Sequence, residues 1–221
     1  MPAKTAILAN GAPPQSPWAL AALCNAERLI ACDGAWRTAV ELGRTPDAVV
    51  GDGDSLRPYD LDELKRLGIP QVCEREQDTN DLCKAFRHAL RSGMADDGIV
   101  ILGATGKRED HAIGNIFHLI DFAEMLGGDG VSMMTDSGVF EPVLPPGRSW
   151  GKDDCRAGTA VSVFAPLPGT EMASEGLEWP LDKVAFDALW RATLNRAKCG
   201  DFSIRSNRPA IVYRTHHGFV V

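Results

Sequence analysis

Through the first 130 residues the chain alternates short apolar runs with amphipathic stretches. The runs are Thr5 to Ala9, Arg28 to Cys32, Ala48 to Val50, Gln71 to Cys73 and Ile99 to Leu102. Each is short and bounded by Gly, Pro or Asp, which predicts buried strands. Helices are predicted between them. Trp18 to Ala26 is opened by Ser16-Pro17 as cap and first-turn proline. Trp36 to Leu42 ends at Gly43, and Leu61 to Leu67 ends at Gly68. From Asn80 onward, Leu82, Phe86, Ala89 and Leu90 repeat at helical spacing, with Asp78 as the expected N-cap and Asp81 in the first turn. A further helix opens at Asp110, is expected to bury Ile113, Ile116, Phe117, Ile120 and Ala123, and ends at Gly127-Gly128. Repeated strand-helix units of this kind imply a parallel sheet covered on both faces.

After about residue 130 the texture changes. Val131 to Thr135, Gly138 to Leu144, Thr159 to Ala165, Ile204, Ala210 to Thr215 and Gly218 to Val221 are alternating or β-rich, with Pro-Gly turns at 145–147 and 166–169. Only Leu181 to Ala197, with Phe186, Leu189, Trp190 and Leu194, has helical spacing. The expected fold is therefore α/β: a parallel-sheet α/β domain over residues 1–130, then a smaller, mostly antiparallel β-sandwich domain over 131–221.

Composition narrows the function classes. Of 221 residues, 44% are hydrophobic and 24% charged, an ordinary globular balance, and the net charge of -7 argues against a broad nucleic-acid or anionic-membrane surface. A nucleotide stays open as a ligand, because a metal and a few local cations can handle phosphates. No run of about 18 apolar residues is present, so no membrane span is expected. The first residues read as a strand, not a signal peptide. The six cysteines form no C-x-x-C pair and are expected to be reduced in a cytoplasmic protein. The five histidines show no zinc-ligand spacing with them, and His111 and His118 are expected as packing or surface residues.

The candidate chemistry lies at the predicted strand ends, where parallel sheets bind ligands. Asp33 ends one strand. Asp52 and Asp54 follow another in V-G-D-G-D-S at 50–55; Asp78 and Asp81 follow a third by several residues; Asp110 follows a fourth. Any one of these could be a solvated turn acid. Four acidic strand ends together point to metal-assisted phosphate chemistry, since hard oxygen ligands suit Mg²⁺. Among them lies G-A-T-G-K-R at 103–108, whose glycines and helix N-terminus suit anions. It is not a Walker A loop, because Arg108 follows Lys107 and position 101 is Ile.

D-G-A at 33–35, P-D-x-V-V-G-D-G-D-S at 46–55, Q-D-T-N-D at 77–81 and G-A-T-G-K-R-E-D-H-x-x-G-N at 103–115 occur in this order. With G-L-E-W-P-L at 176–181 and S-N at 206–207, the chain resembles the thiamine pyrophosphokinase family over nearly its whole length. It departs from the family's usual pattern at Gly53, at Asn80 and over Trp36-Arg37-Thr38, so no contact is carried to Arg37. The resemblance implies transfer of the pyrophosphoryl group of ATP to thiamine, giving thiamine diphosphate and AMP. It implies Mg²⁺ on Asp52, Asp54 and Asp81, and ATP held by Asp33, Gly34, Gly103, Thr105, Gly106, Lys107 and Arg108. Asp110 would orient Arg108 or the substrate alcohol. Trp179 would stack on thiamine, with Ser206 and Asn207 binding its pyrimidine. Family members are homodimers whose sites lie between the catalytic domain of one subunit and the β domain of the other. The alternatives are a pyrophosphokinase for another hydroxyalkyl heterocycle, such as a pterin, and a non-catalytic nucleotide or thiamine sensor.

Overall fold

The structure is a computed structural model and describes residues 3–217; the strand expected at Gly218 to Val221 lies outside the described residues. The chain forms two compact units. One comprises residues up to His118 together with Met133–Asp136; the other comprises Leu119–Ser132 and the residues from Ser137 onward. Among the described residues no helix is long and apolar enough to cross a membrane.

In the first unit β1 (Thr5–Leu8), β2 (Arg28–Cys32), β3 (Ala48–Gly51), β4 (Gln71–Cys73) and β5 (Ile99–Leu102) form a parallel array in the order β5-β1-β2-β3-β4. The first four strands are laid side by side, and β5 returns to the far side of β1. The direction of winding therefore reverses between β1 and β5, the place where doubly wound sheets leave a crevice above their carboxyl ends. The sequence pattern has a direct cause in burial: every residue of β1 and β5 is buried, so their runs are continuously apolar, Thr5 excepted. The helices are α1 (Pro17–Asn25), α2 (Ala35–Glu41), α3 (Pro58–Leu67), α4 (Asp81–Arg91) and α5 (Glu109–Leu126). Ser16 caps α1 through its side chain, which accepts from the Ala19 N–H, with Pro17 in the first turn as expected.

Two helix details differ from expectation. The N-cap of α4 is Asn80, not Asp78: Asn80 is extended, and its Oδ1 accepts the Cys83 N–H at 3.0 Å. Asp78 instead donates its backbone N–H to Glu76. On α5 the buried face is Asn115, Leu119, Phe122 and Ala123, whereas Ile113 is exposed. Its apolar residues wrap more than one stripe, so helical spacing alone did not select the inward one.

In the second unit the order β11-β9-β13-β7 comprises β7 (Gly138–Val143), β9 (Ala160–Phe164), β11 (Ala192–Arg196) and β13 (Ala210–Thr215), each antiparallel to its neighbour. A separate antiparallel sheet has the order β10-β12-β8, from β8 (Gly147–Trp150), β10 (Met172–Glu175) and β12 (Phe202–Ser206). Val161, Val163 and Val212 of the first share one core with Trp150, Phe202 and Ile204 of the second. Between the units' sequences, β6 (Val131–Met134) straddles the division. The helix expected over Leu181 to Ala197 is absent. Turns run to residue 191 and β11 follows. The apolar residues that suggested it do not share a face: Phe186 is buried while Trp190 and Leu194 are exposed.

The second unit also carries a buried ionic cluster. Glu141, 4% exposed, accepts from Arg148 at 2.7 Å, Arg214 at 2.7 Å and Trp150 Nε1 at 2.8 Å. Removing one partner of such a group strands the others without water. Glu141→Ala is expected to cost roughly 3 kcal/mol in urea denaturation; a loss under about 1 kcal/mol would show that the cluster is solvated in the folded state.

Candidate active site

The site forms where the strand ends of the first unit face the crevice. A cavity of about 500 Å³ is lined by Asn10, Asp52, Asp54, Gln77, Asn80, Asp81, Lys84, Thr105, Lys107 and Arg108, among others. The two sequence motifs, the acids and the Gly-Lys-Arg loop, therefore share one cavity.

On the acidic side, Asp33 ends β2 and is 1% exposed. Its Oδ2 accepts the Gly53 N–H at 2.8 Å, while its Oδ1 is buried without a hydrogen-bond partner. Burial, which disfavours the charged form, raises its pKa to about 6, only partly opposed by the Gly53 hydrogen bond. Two glycines make this arrangement possible. A Cβ on Gly51 would lie 2.2 Å from Asp33 Oδ1, and Gly53 has φ +86°, a left-handed turn that suits glycine. The departure at position 53 is thus a backbone requirement of the turn that seats Asp33.

Asp33, Asp52 and Asp81 each bring a carboxylate oxygen within 4.8 Å of the others. Oxygens on an octahedral Mg²⁺ with bonds of about 2.1 Å lie about 3.0 Å apart when adjacent and about 4.2 Å when opposite, so this set fits a hard divalent cation once the side chains draw in around it. The unpartnered Asp33 oxygen is what such an ion would satisfy. Asp54 lines the same cavity, but its Oδ1 accepts from Ser55 Oγ at 3.0 Å and it is not in this close trio. Asp52 is held below the usual carboxylate range, first by the Asp54 N–H and then by Gln77. Asp81 is raised by burial despite its hydrogen bond from Lys84.

On the other side, β5 runs into the glycine loop at 103–108. Gly103 and Gly106 have φ +63° and +86°. A Cβ on Gly103 would come 2.8 Å from Ala9 O, and one on Gly106 2.6 Å from Ala12 Cβ. The loop is braced by the residues after β1: the Gly11 N–H donates to Gly103 O at 2.6 Å and the Ala12 N–H to Thr105 O at 2.7 Å. Lys107 donates to Asn10 O at 2.9 Å. Arg108 is largely exposed and pairs with Asp110 at 2.5 Å, which lowers the Asp110 pKa to about 2. Gly34 does not line the cavity; its position packs closely on Asn10. Arg37 is engaged elsewhere, in an ion pair with the buried Asp60.

The two sides are tied together. Asn80 Nδ2 donates to Asn115 Oδ1 at 2.9 Å, and Asn115 Nδ2 donates to Ala104 O at 2.9 Å. One side-chain chain thus runs from the start of α4 to the glycine loop. Sequence reasoning missed this link and missed Lys84 and Gln77. For Lys84 and Asn115 the signal was present only as polar residues among apolar ones on a helix, and Gln77 lies in the irregular segment before α4.

The expected thiamine residues are not brought together. Trp179 is 54% exposed and lines a cavity of about 220 Å³ with Leu181, Val184, Leu194 and Asn195 among others. Asn195, buried, accepts the Trp179 N–H at 3.1 Å and donates to the Trp179 carbonyl at 2.6 Å. Leu194 has φ +64° and sits where the β11–β9 register shifts, leaving its side chain 83% exposed beside the tryptophan. Ser206 and Asn207 line a different cavity, of about 590 Å³. Their side chains serve a turn: Ser206 Oγ donates to Arg208 O at 2.6 Å, and Asn207 accepts the Glu171 N–H and donates to Gly169 O.

Comparison with known proteins agrees with this architecture. Residues 20–126 match the family model described as "Thiamin pyrophosphokinase, catalytic domain", and residues 145–213 match "Thiamin pyrophosphokinase, substrate-binding domain". A curated relative from Oryza sativa subsp. japonica, "Thiamine pyrophosphokinase 1", is 36% identical over 154 residues, 66% of this chain and 56% of that protein. A second rice relative, "Thiamine pyrophosphokinase 3", is 40% identical over 76 residues, 32% of this chain and 28% of that protein. The chain thus spans little more than half the length of the first of these. Among solved structures, a Bacillus subtilis thiamine pyrophosphokinase aligns with TM-score 0.79 at 20% identity, covering 96% of this chain and 99% of that one. A Candida albicans thiamin pyrophosphokinase aligns with TM-score 0.75 at 15% identity, covering 96% and 89%. Fold and site define a two-part α/β protein with an acidic crevice at the switch point of a parallel sheet. The chain belongs to the thiamin pyrophosphokinase family.

Asn80→Ala is expected to lose about 1 kcal/mol for the cap, with a further loss for leaving buried Asn115 half-satisfied. Chemical denaturation measures it, and wild-type stability would show that neither bond contributes.

Proposed function

We propose that this protein transfers the pyrophosphoryl group of ATP to the hydroxyethyl oxygen of thiamine, giving thiamine diphosphate and AMP. The observation that carries the reading is the meeting of Asp52, Asp54 and Asp81 with Thr105, Lys107 and Arg108 of the glycine loop in one crevice. Phosphoryl-type transfer needs little covalent chemistry from a protein; positioning and charge neutralisation supply most of the acceleration. Residues 1–130 would form the ATP-binding catalytic domain and residues 131–221 the thiamine-binding domain.

Asp52 and Asp81 would hold Mg²⁺, joined by Asp33 on the buried side and by Asp54 from the cavity wall. When bound, the ion neutralises charge on the β- and γ-phosphates. Lys107 and Arg108, with the loop from Gly103 to Gly106, would hold the phosphates, and Thr105 would line their path. Asp110, kept anionic by Arg108, suits orientation of that guanidinium and is a weak proton acceptor. Trp179 would stack on thiamine's cationic ring, since an aromatic face attracts positive charge. Its exposure and the Asn195 clamp support this; the internal hydrogen bonds of Ser206 and Asn207 weigh against a direct role for that pair. The reading extends to a cytoplasmic homodimer in which the catalytic domain of one copy meets the β domain of the other. A pterin acceptor is not favoured by the family match to a thiamin-type substrate-binding domain.

Asp52→Asn and Asp54→Asn should each lower AMP formation at least about 100-fold, more than loss of an outer-shell partner costs, with the fold retained by circular dichroism. Near-normal turnover in either would remove that residue from the metal site. Trp179→Ala should raise the KM for thiamine about tenfold, a loss of stacking of roughly 1–2 kcal/mol, while the KM for ATP stays unchanged. An unchanged thiamine KM would return the residue to a packing role.

A further inference from the structure

Lys84 is a buried cation inside the acidic crevice. It lies one turn after Asp81 on α4, is 1% exposed, and lines the cavity. Its Nζ is 3.2 Å from Asp81 Oδ1 and 3.7 Å from Asp52 Oδ2. A lysine is almost never buried unless it is paired. Burial works against its charge, but the Asp81 hydrogen bond and the charges of Asp81 and Asp52 outweigh burial and hold the ammonium charged.

The pairing has a consequence for the metal. Asp52 and Asp81 are two of the three carboxylates that fit a divalent cation, and they are also the partners of Lys84. An ammonium and a dication drawing on the same oxygens repel each other across a few ångströms of poorly solvated space. The lysine also has donors to spare. Its one hydrogen bond, to Asp81, leaves two N–H groups for an incoming anion.

We infer that Lys84 is a resident counter-ion: it steadies Asp52 and Asp81, keeps their affinity for a free divalent cation low, and is available to phosphate oxygens when the cation arrives with a nucleoside triphosphate. This rests on the pyrophosphoryl-transfer reading for the identity of the polyphosphate. Metal and nucleotide then bind as a coupled pair, each raising the affinity of the other by the same factor. Lys84 would touch the substrate phosphates as well as the ligand carboxylates.

Mn²⁺ binding to the full chain, followed by electron paramagnetic resonance, tests this with and without α,β-methylene-ATP, which cannot release AMP. Lys84→Met should bind free Mn²⁺ about tenfold more tightly than wild type, because one repelling charge is gone. The tightening of Mn²⁺ binding by the analogue should shrink by a similar factor. Lys84→Arg, which keeps the charge, should stay near wild type in free Mn²⁺ affinity. Should Lys84→Met fail to fold, Lys84→Gln, neutral but able to hydrogen-bond Asp81, is read the same way. Unchanged or weaker free Mn²⁺ binding in the neutral variant, or undiminished coupling to the analogue, overturns the inference. If wild type forms no AMP from ATP and thiamine, the pyrophosphoryl-transfer reading falls, while the nucleotide-free titration still decides the role of Lys84.

Discussion

The crowding of like charge at the end of a parallel sheet is the constraint on which the rest of the site depends. Asp33, Asp52 and Asp81 converge at distances where carboxylates repel, and one of them is almost wholly buried. Such a cluster persists only if the surrounding structure holds it and if cations compensate it. Gly51 makes room for the Asp33 carboxyl, the Gly53 N–H donates to it, Gln77 donates to Asp52, and Lys84 lies between Asp52 and Asp81. The compensation is incomplete, since one Asp33 oxygen has no partner. A site left short of positive charge in this way suits the metal and polyphosphate of the proposed reaction.

The glycine loop at 103–108 is built by a different device. It carries no side-chain bulk at Gly103 and Gly106, and it is strapped to the residues after β1 by backbone hydrogen bonds. Because β1 and β5 are neighbours across the winding reversal, the loop and the acids open into one crevice. The Asn80–Asn115–Ala104 chain fixes the spacing between them. Asn80 therefore does two things, capping α4 and bridging to α5.

Much of this was legible in the residue pattern. Continuous apolar runs marked the buried strands because both faces of a parallel sheet are covered. Motif order pointed to the family, and three of the strand-end acids, Asp52, Asp54 and Asp81, line one cavity. The pattern failed where apolar residues were present but unshared. Leu181 to Ala197 has helical spacing, yet Trp190 and Leu194 face outward and the segment is turns and a strand. The pattern also did not show that the Ser206 and Asn207 side chains hydrogen-bond within a turn, or that Asn195 holds the Trp179 backbone. Spacing along the chain does not register which polar groups hydrogen-bond within the fold.

The sequence by itself determined the alternation of strands and helices, the acidic strand ends including V-G-D-G-D-S, and the glycine loop, because these follow from local periodicity and turn chemistry. Only the tertiary structure decided that Asp33 joins Asp52 and Asp81 more closely than Asp54 does, and that Lys84 stands between two of them. Those outcomes depend on which strands lie side by side and on which side chains burial deprives of water. Both are properties of residues far apart in the chain, and neither is written in the spacing of any one segment.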